Sequence, residues 1–337
     1  MFKLTRHKDN PIFSPSPDYP FEKEGVLNPG VILTDEGVVM LYRAVGEKIN
    51  YRSQIGLATS KDGIVFERVL QEPVFSPKED FDRWGAEDPR ITKIDDDYYI
   101  AYVAVPDPVL MDGHAVERKK PLETAGALLK TRDFRNFENL GVITPLSSDN
   151  KDVVLFPRKI NGRYAMLHRP NHWNKEWCRT PFEKTPEDNL LCAMSDLPEA
   201  PGIWIAWSDD LVHWDDHKLV MSTYKSFDAK IGAGLPPIET PDGWLIIYHH
   251  VEKAGGGKLI YSTRAALLHL KDPRRLLSDL PYSILPPEMP YEKNIIFPSG
   301  GFVSGDTLYV YYGASDSTIG LATGSLSELL SELRAHI

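Results

Sequence analysis

The tetrapeptide Glu87-Asp88-Pro89-Arg90 has the composition of an acid held beside a cation. Proline fixes the backbone φ and lacks an N–H, and arginine carries a permanent charge with five N–H donors. A strand-like run rich in Ile, Tyr and Val follows at residues 91–105. Asp88 is therefore a candidate general acid. The alternative for an isolated Asp-Pro-Arg is an ordinary acidic turn, so the assignment depends on the surrounding pattern.

Basic side chains recur at matched places in the chain. Arg43, Arg169 and His249 each follow the aromatic or His residue that ends a strand-like run, and Lys151 and Lys230 precede proline segments. The formal net charge is −10, so cations that converge in this protein indicate a bound anion. Each could instead be a solvated surface cation.

One acid beside an anion pocket has a mechanistic consequence. Glycoside hydrolases usually need two carboxyl groups, an acid and a base or nucleophile. A phosphate anion is already a nucleophile, and its binding requires Arg or Lys. The pattern therefore favours attack by phosphate over attack by water.

A five-fold repeat positions these residues. The segments begin at prolines 29, 89, 157, 237 and 298, which are 60, 68, 80 and 61 residues apart. Each proline is followed by a polar turn and then, after 13, 13, 11, 11 and 13 residues, by a ring-bearing residue. Among the residues that precede these prolines, only Asp88 is acidic. Repeats of about 60 residues with four strands each predict an all-β, five-bladed β-propeller.

The predicted blades span residues 27–85, 86–146, 150–222, 229–292 and 294–324. A Ser/Thr-x-Asp turn recurs in the first three units, and the apolar spacing after residue 325 predicts a short C-terminal helix over 325–337. Residues 172–202 interrupt the repeat and predict a rim loop. Residues 1–25 are expected to begin with a strand that closes the ring or an arm that packs on it. A β-sandwich would not explain the recurring proline segment.

Composition excludes several classes of protein. The net negative charge argues against nonspecific binding to nucleic acid or anionic membranes. No apolar run reaches the length of a transmembrane helix, and the N-terminus lacks the apolar core of a signal peptide, so we expect a cytoplasmic protein. Cys178 and Cys192 are too few for a disulfide framework and lack a zinc pattern. Several aromatic residues could stack on sugars or could fill the blades: Tyr98, Tyr99, Trp173, Trp177, Trp244 and Tyr312.

In combination, the motifs resemble those of the β-mannoside phosphorylases of glycoside hydrolase family 130, from about residue 28 to residue 323. They are Asn28-Pro29-Gly30, Leu41-Tyr42-Arg43-Ala44, Glu87-Asp88-Pro89-Arg90, Asn150-Lys151-Asp152 with Phe156-Pro157, His168-Arg169-Pro170, Lys230-Ile231-Gly232-Ala233-Gly234 with Pro236-Pro237, Tyr248-His249, Phe297-Pro298-Ser299-Gly300-Gly301 and Tyr312-Gly313-Ala314 with Asp316.

The resemblance implies a hexosyltransferase that needs no cofactor and no metal, with inorganic phosphate as co-substrate. Asp88 corresponds to the single general acid, which acts through the 3-hydroxyl of the sugar. The implied phosphate ligands are Lys151, Arg169, Lys230 and His249, and the implied mannoside ligands are Asn28, Arg43, Arg90 and Asp316. Phosphate would attack with inversion to give α-mannose 1-phosphate and a shortened acceptor.

Several alternatives remain open from the sequence. They include a hydrolase on the same propeller and a propeller that binds carbohydrate without catalysis. The linkage, β-1,2 or β-1,4, is open because the rim loop matches no known pattern. The termini and this loop are plausible subunit contacts in a homo-oligomer.

Overall fold

Five antiparallel sheets stand in a ring in the computed structural model, which describes residues 1–48, 51–106, 124–145, 148–181, 183–223 and 228–337. The predicted five-bladed propeller is confirmed. Blade 1 contains β2 (Gly25–Thr34), β3 (Gly37–Val45), β4 (Ser53–Ser60) and β5 (Glu67–Arg68); blade 2 contains β6 (Gly85–Ile94), β7 (Asp97–Val105), β8 (Ala125–Thr131) and β9 (Glu138–Val142). Blade 3 contains β10 (Asn150–Leu155), β11 (Tyr164–Pro170), β12 (Ile203–Ser208) and β13 (Trp214–Met221).

The last two blades complete the ring. Blade 4 contains β14 (Asp228–Ala233), β15 (Ile238–Thr240), β16 (Gly243–Lys253), β17 (Leu259–Leu268) and β18 (Leu276–Asp279). Blade 5 contains β19 (Ile296–Ser304), β20 (Thr307–Ala314) and β21 (Thr318–Ser325), and its outer strand is β1 (Thr5–Arg6) from the N-terminus. An N-terminal strand therefore ties the two ends of the ring together, as one of the two sequence alternatives expected.

Adjacent blades share apolar cores, and there are five such cores among the described residues. Leu41 of blade 1 packs with Ile100 of blade 2, for example, and both side chains are fully buried. Burial of one such side chain contributes about 1.5–3 kcal/mol. The blades consequently hold one another in a fixed order around the ring.

Short polar turns close the rim opposite the first-strand starts. Ser60 Oγ accepts a 2.9 Å hydrogen bond from Gly63 N, and Asp62 Oδ1 accepts from two further backbone N–H groups. Thr131 with Asp133 and Ser208 with Asp210 repeat this arrangement. The recurring Ser/Thr-x-Asp pattern is thus a turn in which side chains satisfy backbone donors.

Buried tyrosine–carboxylate pairs fix the segments that lead into or out of four blades. The pairs are Tyr42 with Glu22, Tyr102 with Asp82, Tyr248 with Asp279 and Tyr312 with Glu292, at 2.5, 2.7, 2.6 and 3.0 Å. In blade 5 the ring in register with the others is therefore Tyr312, whereas the spacing of 13 residues had indicated Tyr311.

The rim loop between β11 and β12 contains two short helices, α1 (Lys175–Cys178) and α2 (Pro186–Cys192). Cys178 and Cys192 form a disulfide there, a pairing that the sequence analysis did not predict. Trp173 and Leu197 pack against Trp204 of β12 beneath the loop. A C-terminal helix, α3 (Leu326–Arg334), begins after the cap residue Ser325. No helix within the described residues combines the length and apolarity needed to span a bilayer.

Candidate active site

The candidate residues lie where the first strands of the blades begin and the second strands end. Asn28, Asp88 and Asp152 occupy β-bulges at the start of β2, β6 and β10, with backbone φ of 45°, 51° and 58°. Asn and Asp tolerate this left-handed conformation better than other side-chain-bearing residues. Three neighbouring blades therefore present the same strained backbone feature at one rim.

Asp88 is buried and anchored on one carboxylate oxygen. Oδ1 accepts a 2.8 Å hydrogen bond from Nδ2 of Asn28 and lies 3.3 Å from Nη1 of Arg43. Arg43 is itself held by a 2.8 Å hydrogen bond from Nε to Ser53 Oγ. The contacts bring Asn28, Arg43 and Asp88 together, as the sequence predicted.

Glu87 links the acid to the predicted cationic cradle. Its carboxylate accepts a 2.6 Å ion-paired hydrogen bond from Arg43 Nη2 and lies 3.4 Å from Nζ of Lys151. Burial by itself raises the pKa of Glu87, but Arg43 and Lys151 outweigh it and lower the pKa. Glu87 is therefore held ionised between two cations.

Lys151 and Arg169 are directly opposite one another across the β10–β11 pair. Like charges in that position destabilise a sheet unless anions compensate them. Asp152 supplies one compensating charge, since its Oδ2 lies 2.6 Å from Nε of Arg169 and 3.5 Å from Nε2 of His249. Burial raises the pKa of Asp152, yet Arg169 and His249 lower it overall.

His249 is fully buried and stacks on Phe297 with ring centroids 4.5 Å apart. Burial lowers its pKa to about 3, with Asp152 opposing and Arg169 and Lys230 adding to the shift. Neither ring nitrogen has a hydrogen-bond partner among the described residues. His249 thus offers this pocket a neutral imidazole, where the sequence analysis had counted a possible cation.

Lys230 lies next to these groups on blade 4, with Nζ 5.5 Å from the ring centroid of Tyr261. In the described part of the chain no carboxylate lies within 4.0 Å of it. Burial lowers the pKa of Lys230 to about 8, and Arg169 and Lys151 contribute further lowering. An anion that entered the pocket would relieve this crowding of positive charge.

Two predicted mannoside ligands have different surroundings. Asp316 lies in the β20–β21 turn with an exposed side chain, and its pKa is raised by the surrounding protein and by Asp88, against the effect of Arg43. Arg90 is 1% exposed and donates from Nε to Gly234 O at 2.6 Å and from Nη1 to the backbone oxygen of Asp88 at 2.5 Å. Arg90 therefore supports Asp88 from within the protein, and sugar contact by this residue stays a prediction.

A second group of ligand-type side chains lies near the end of blade 4. His250 Nε2 is 3.0 Å from Asp228, and its Nδ1 is 3.5 Å from Glu252. The two ring nitrogens point to different carboxylates, and Arg264 lies 3.5 Å from Glu252. This arrangement bridges charges across a sheet and does not converge on a single point as metal ligands do.

Sequence reasoning missed Asp152 as a second buried acid at the site. It aligned Pro157 and Pro237 with the other prolines, but both lie beyond the first strand of their blades, whereas Pro29 and Pro89 lie in the bulges. The statement that only one corner carries an acid was therefore wrong. A usable signal was present, because these two prolines have the shorter spacing of 11 residues.

Three of the aromatic residues considered for sugar stacking fill the protein interior. Trp173, Trp244 and Tyr312 are fully buried. Trp177 is half-buried in the rim loop and stacks on His172 with ring centroids 4.5 Å apart. Among these four, Trp177 alone lies where a sugar could reach it.

The fold and the site define a class: a five-bladed β-propeller with a buried carboxyl group beside a pocket of cations. The chain belongs to glycoside hydrolase family 130, described as beta-1,4-mannooligosaccharide phosphorylase, whose family model matches residues 3–335. The predicted family is confirmed.

Individual relatives extend the likeness over the full chain. The chain is 35% identical to a 1,2-beta-oligomannan phosphorylase of Thermoanaerobacter sp. (strain X514), covering 98% of this chain and 99% of that protein. It is also 35% identical to a beta-1,2-mannobiose phosphorylase of the same organism, covering 96% and 97%. The structure of beta-1,2-mannobiose phosphorylase from Listeria innocua, in complex with beta-1,2-mannobiose, aligns with a TM-score of 0.77 at 28% identity over 99% of both chains.

Proposed function

We propose that the protein catalyses phosphorolysis of β-1,2-linked mannosides, releasing α-D-mannose 1-phosphate and a shortened acceptor. Phosphorolysis of β-mannosides as the reaction class follows from family membership over nearly the whole chain. The observation that carries it structurally is Lys230, a crowded cation with no carboxylate within 4.0 Å in the described residues, beside Arg169 and Lys151. Such a pocket suits a small anion.

In this proposal Asp88 is the general acid and phosphate is the nucleophile. A phosphate oxygen attacks the anomeric carbon and the bond to the glycosidic oxygen breaks. The proton of Asp88 reaches that oxygen through the 3-hydroxyl of the mannosyl residue. Lys151, Arg169, Lys230 and His249 hold the phosphate, while Asn28, Arg43 and Asp316 contact the sugar.

The choice of linkage rests on the relatives. The two relatives at 35% identity and the aligned Listeria innocua structure are named for β-1,2-mannosides, whereas the family description names β-1,4-mannooligosaccharides. We therefore propose β-1,2 linkage, with β-1,4 as the competing assignment.

A hydrolase is the second candidate, because Asp152 adds a buried carboxylate to the site. A base that activates water must accept a proton and must reach the water. Asp152 is 2% exposed, lies 2.6 Å from Arg169, and has a lowered pKa. These properties make it a poor base and favour the phosphorylase.

The test is incubation with β-1,2-mannobiose or β-1,4-mannobiose, each with and without inorganic phosphate. We expect mannose 1-phosphate from β-1,2-mannobiose only when phosphate is present. Cleavage to free mannose without phosphate would establish the hydrolase. Preference for β-1,4-mannobiose would reverse the linkage, and no turnover of either would leave a binding protein.

A further inference from the structure

We propose that Asp152 is a positioning residue that holds Arg169 and His249 in the geometry that receives phosphate. The inference rests on the proposed phosphorolysis and concerns a residue with no role in the predicted phosphate cradle. Asp152 occupies on blade 3 the bulge position that Asp88 occupies on blade 2. The repeat thus places one carboxyl group at the reacting sugar and a second beneath the anion pocket.

The contacts of Asp152 all run to cationic or imidazole groups. Oδ2 accepts a 2.6 Å hydrogen bond from Nε of Arg169 and lies 3.5 Å from Nε2 of His249, and Oδ1 lies 3.9 Å from Nη2 of Arg90. Arg169 also donates from Nη1 to Oδ1 of Asn171. With Nε and Nη1 engaged, the guanidinium is fixed in orientation and Nη2 is left for a ligand, since it donates to no other described residue.

Burial makes this role one of orientation. Asp152 and Arg169 are each 2% exposed, so a carboxylate here cannot exchange partners with solvent. A buried pair of this kind keeps its geometry only while both charges are present, because removal of one leaves the other uncompensated. The carboxylate also faces His249, whose ring nitrogens have no hydrogen-bond partner within the described ranges.

Gly232 on β14 provides the space that this arrangement needs. A Cβ added to Gly232 would overlap Oδ2 of Asp152 and would lie 2.5 Å from Cε1 of His249. Gly232 is not in the left-handed region, so the close approach explains the glycine. A methyl group there would displace the carboxylate without altering any charge.

The first experiment compares Asp152→Asn with the unmodified protein, since asparagine tolerates the backbone φ of 58°. We expect the KM for phosphate to rise about 10- to 100-fold, the range found when a residue that orients a metal ligand is removed. The KM for β-1,2-mannobiose and the kcat at saturating phosphate should change less than about threefold, on the order expected when no reacting atom is contacted. A kcat loss of about 100-fold or more at saturating phosphate would make Asp152 catalytic and overturn the proposal.

Gly232→Ala tests position separately from charge and should raise the KM for phosphate in the same selective way. Asp82→Asn is the matched control: it alters a fully buried carboxylate, bonded to Tyr102 Oη at 2.7 Å, and should lower the melting temperature without a selective change in either KM. Equal increases in both KM values for Asp152→Asn and Gly232→Ala would indicate general disruption and overturn the proposal.

Calorimetric titration with inorganic phosphate alone separates this inference from the proposed function. Phosphate binding by the unmodified protein that is weakened in both variants supports the inference. Equal binding by the unmodified protein and both variants overturns the inference while leaving phosphorolysis intact. Absence of binding in the unmodified protein overturns both.

Discussion

The side-chain amide of Asn28 donates a 2.8 Å hydrogen bond to Oδ1 of Asp88, so blade 1 orients the candidate acid of blade 2. Arg43 approaches the same oxygen at 3.3 Å. Oδ2 accepts no hydrogen bond from any other described residue, which leaves it for a substrate hydroxyl. The hydrogen bond therefore selects which of the two carboxyl oxygens faces the sugar.

Substitution Asp88→Asn should abolish most turnover and leave the fold intact. Asparagine tolerates the φ of 51° but cannot donate an acidic proton, so we expect kcat to fall by about 10²- to 10⁴-fold. Phosphate affinity, measured by calorimetry, should be unchanged. Asp279→Asn, which removes the carboxylate paired with Tyr248, serves as control and should affect stability alone. Wild-type turnover in Asp88→Asn would refute the acid assignment.

Gly313→Ala should reduce turnover although Gly313 carries no functional group. A Cβ at this position would overlap Oδ1 of Asn28 and would lie 2.9 Å from its backbone nitrogen. The displaced amide would release Asp88, and a misplacement on the order of 1 Å can cost about 100-fold in rate. Gly255→Ala is the control, because a Cβ there meets nothing within 4 Å. Unaltered kcat in Gly313→Ala would show that the Asn28–Asp88 hydrogen bond is dispensable.

The repeat was predictable because its turns and bulges use residues with specific backbone preferences. Asn28 and Asp88 each precede a proline, and this pairing marked the bulge in the sequence. Asp152 adopts the same conformation but is followed by Val153, so nothing in the local sequence distinguished it from a surface acid.

Charge states were not predictable from residue types. His249 was grouped with the cations, yet complete burial lowers its pKa to about 3. Arg90 was expected to contact the substrate, but its guanidinium is occupied by backbone oxygens beneath Asp88. The pairing of Cys178 with Cys192 likewise depends on how α1 and α2 fold together in the rim loop. These properties follow from three-dimensional surroundings that spacing does not encode.

Phosphate affinity should fall as the pH rises above about 8, because burial lowers the pKa of Lys230 to about that value. Below it the amine is protonated and attracts phosphate; above it the free protein loses this charge. We expect the KM for phosphate to rise by at most about tenfold per pH unit, as for one linked proton. Initial rates between pH 7 and 9.5 measure it.

Lys230→Arg is the matched variant, since arginine keeps its charge throughout this range. Its KM for phosphate should be nearly independent of pH between 7 and 9.5. A parallel rise in Lys230→Arg and the unmodified protein would place the titrating group elsewhere.

The buried pair His168–His217 should make the fold less stable in mild acid. His168 Nδ1 lies 2.7 Å from Asn150 Oδ1, which accepts its proton, so Nε2 accepts from His217 Nδ1 at 3.0 Å. Burial, followed by the proximity of His217, lowers the pKa of His168 well below its ordinary value. The folded protein therefore binds fewer protons than the unfolded chain once the pH is below the unfolded histidine pKa of about 6.5.

The stability contributed by neutral His168 is complete above pH 6.5 and is lost as the pH falls, by about 1.4 kcal/mol per pH unit. Urea unfolding of the unmodified protein and His168→Gln at pH 7.5 and 5.5 measures this loss. Glutamine does not titrate, so the variant should be less stable at pH 7.5 but should lose roughly 1 kcal/mol less on acidification. His336→Gln, at an exposed position near the C-terminus, should follow the unmodified protein. An equal loss in His168→Gln would show that other groups govern the acid sensitivity.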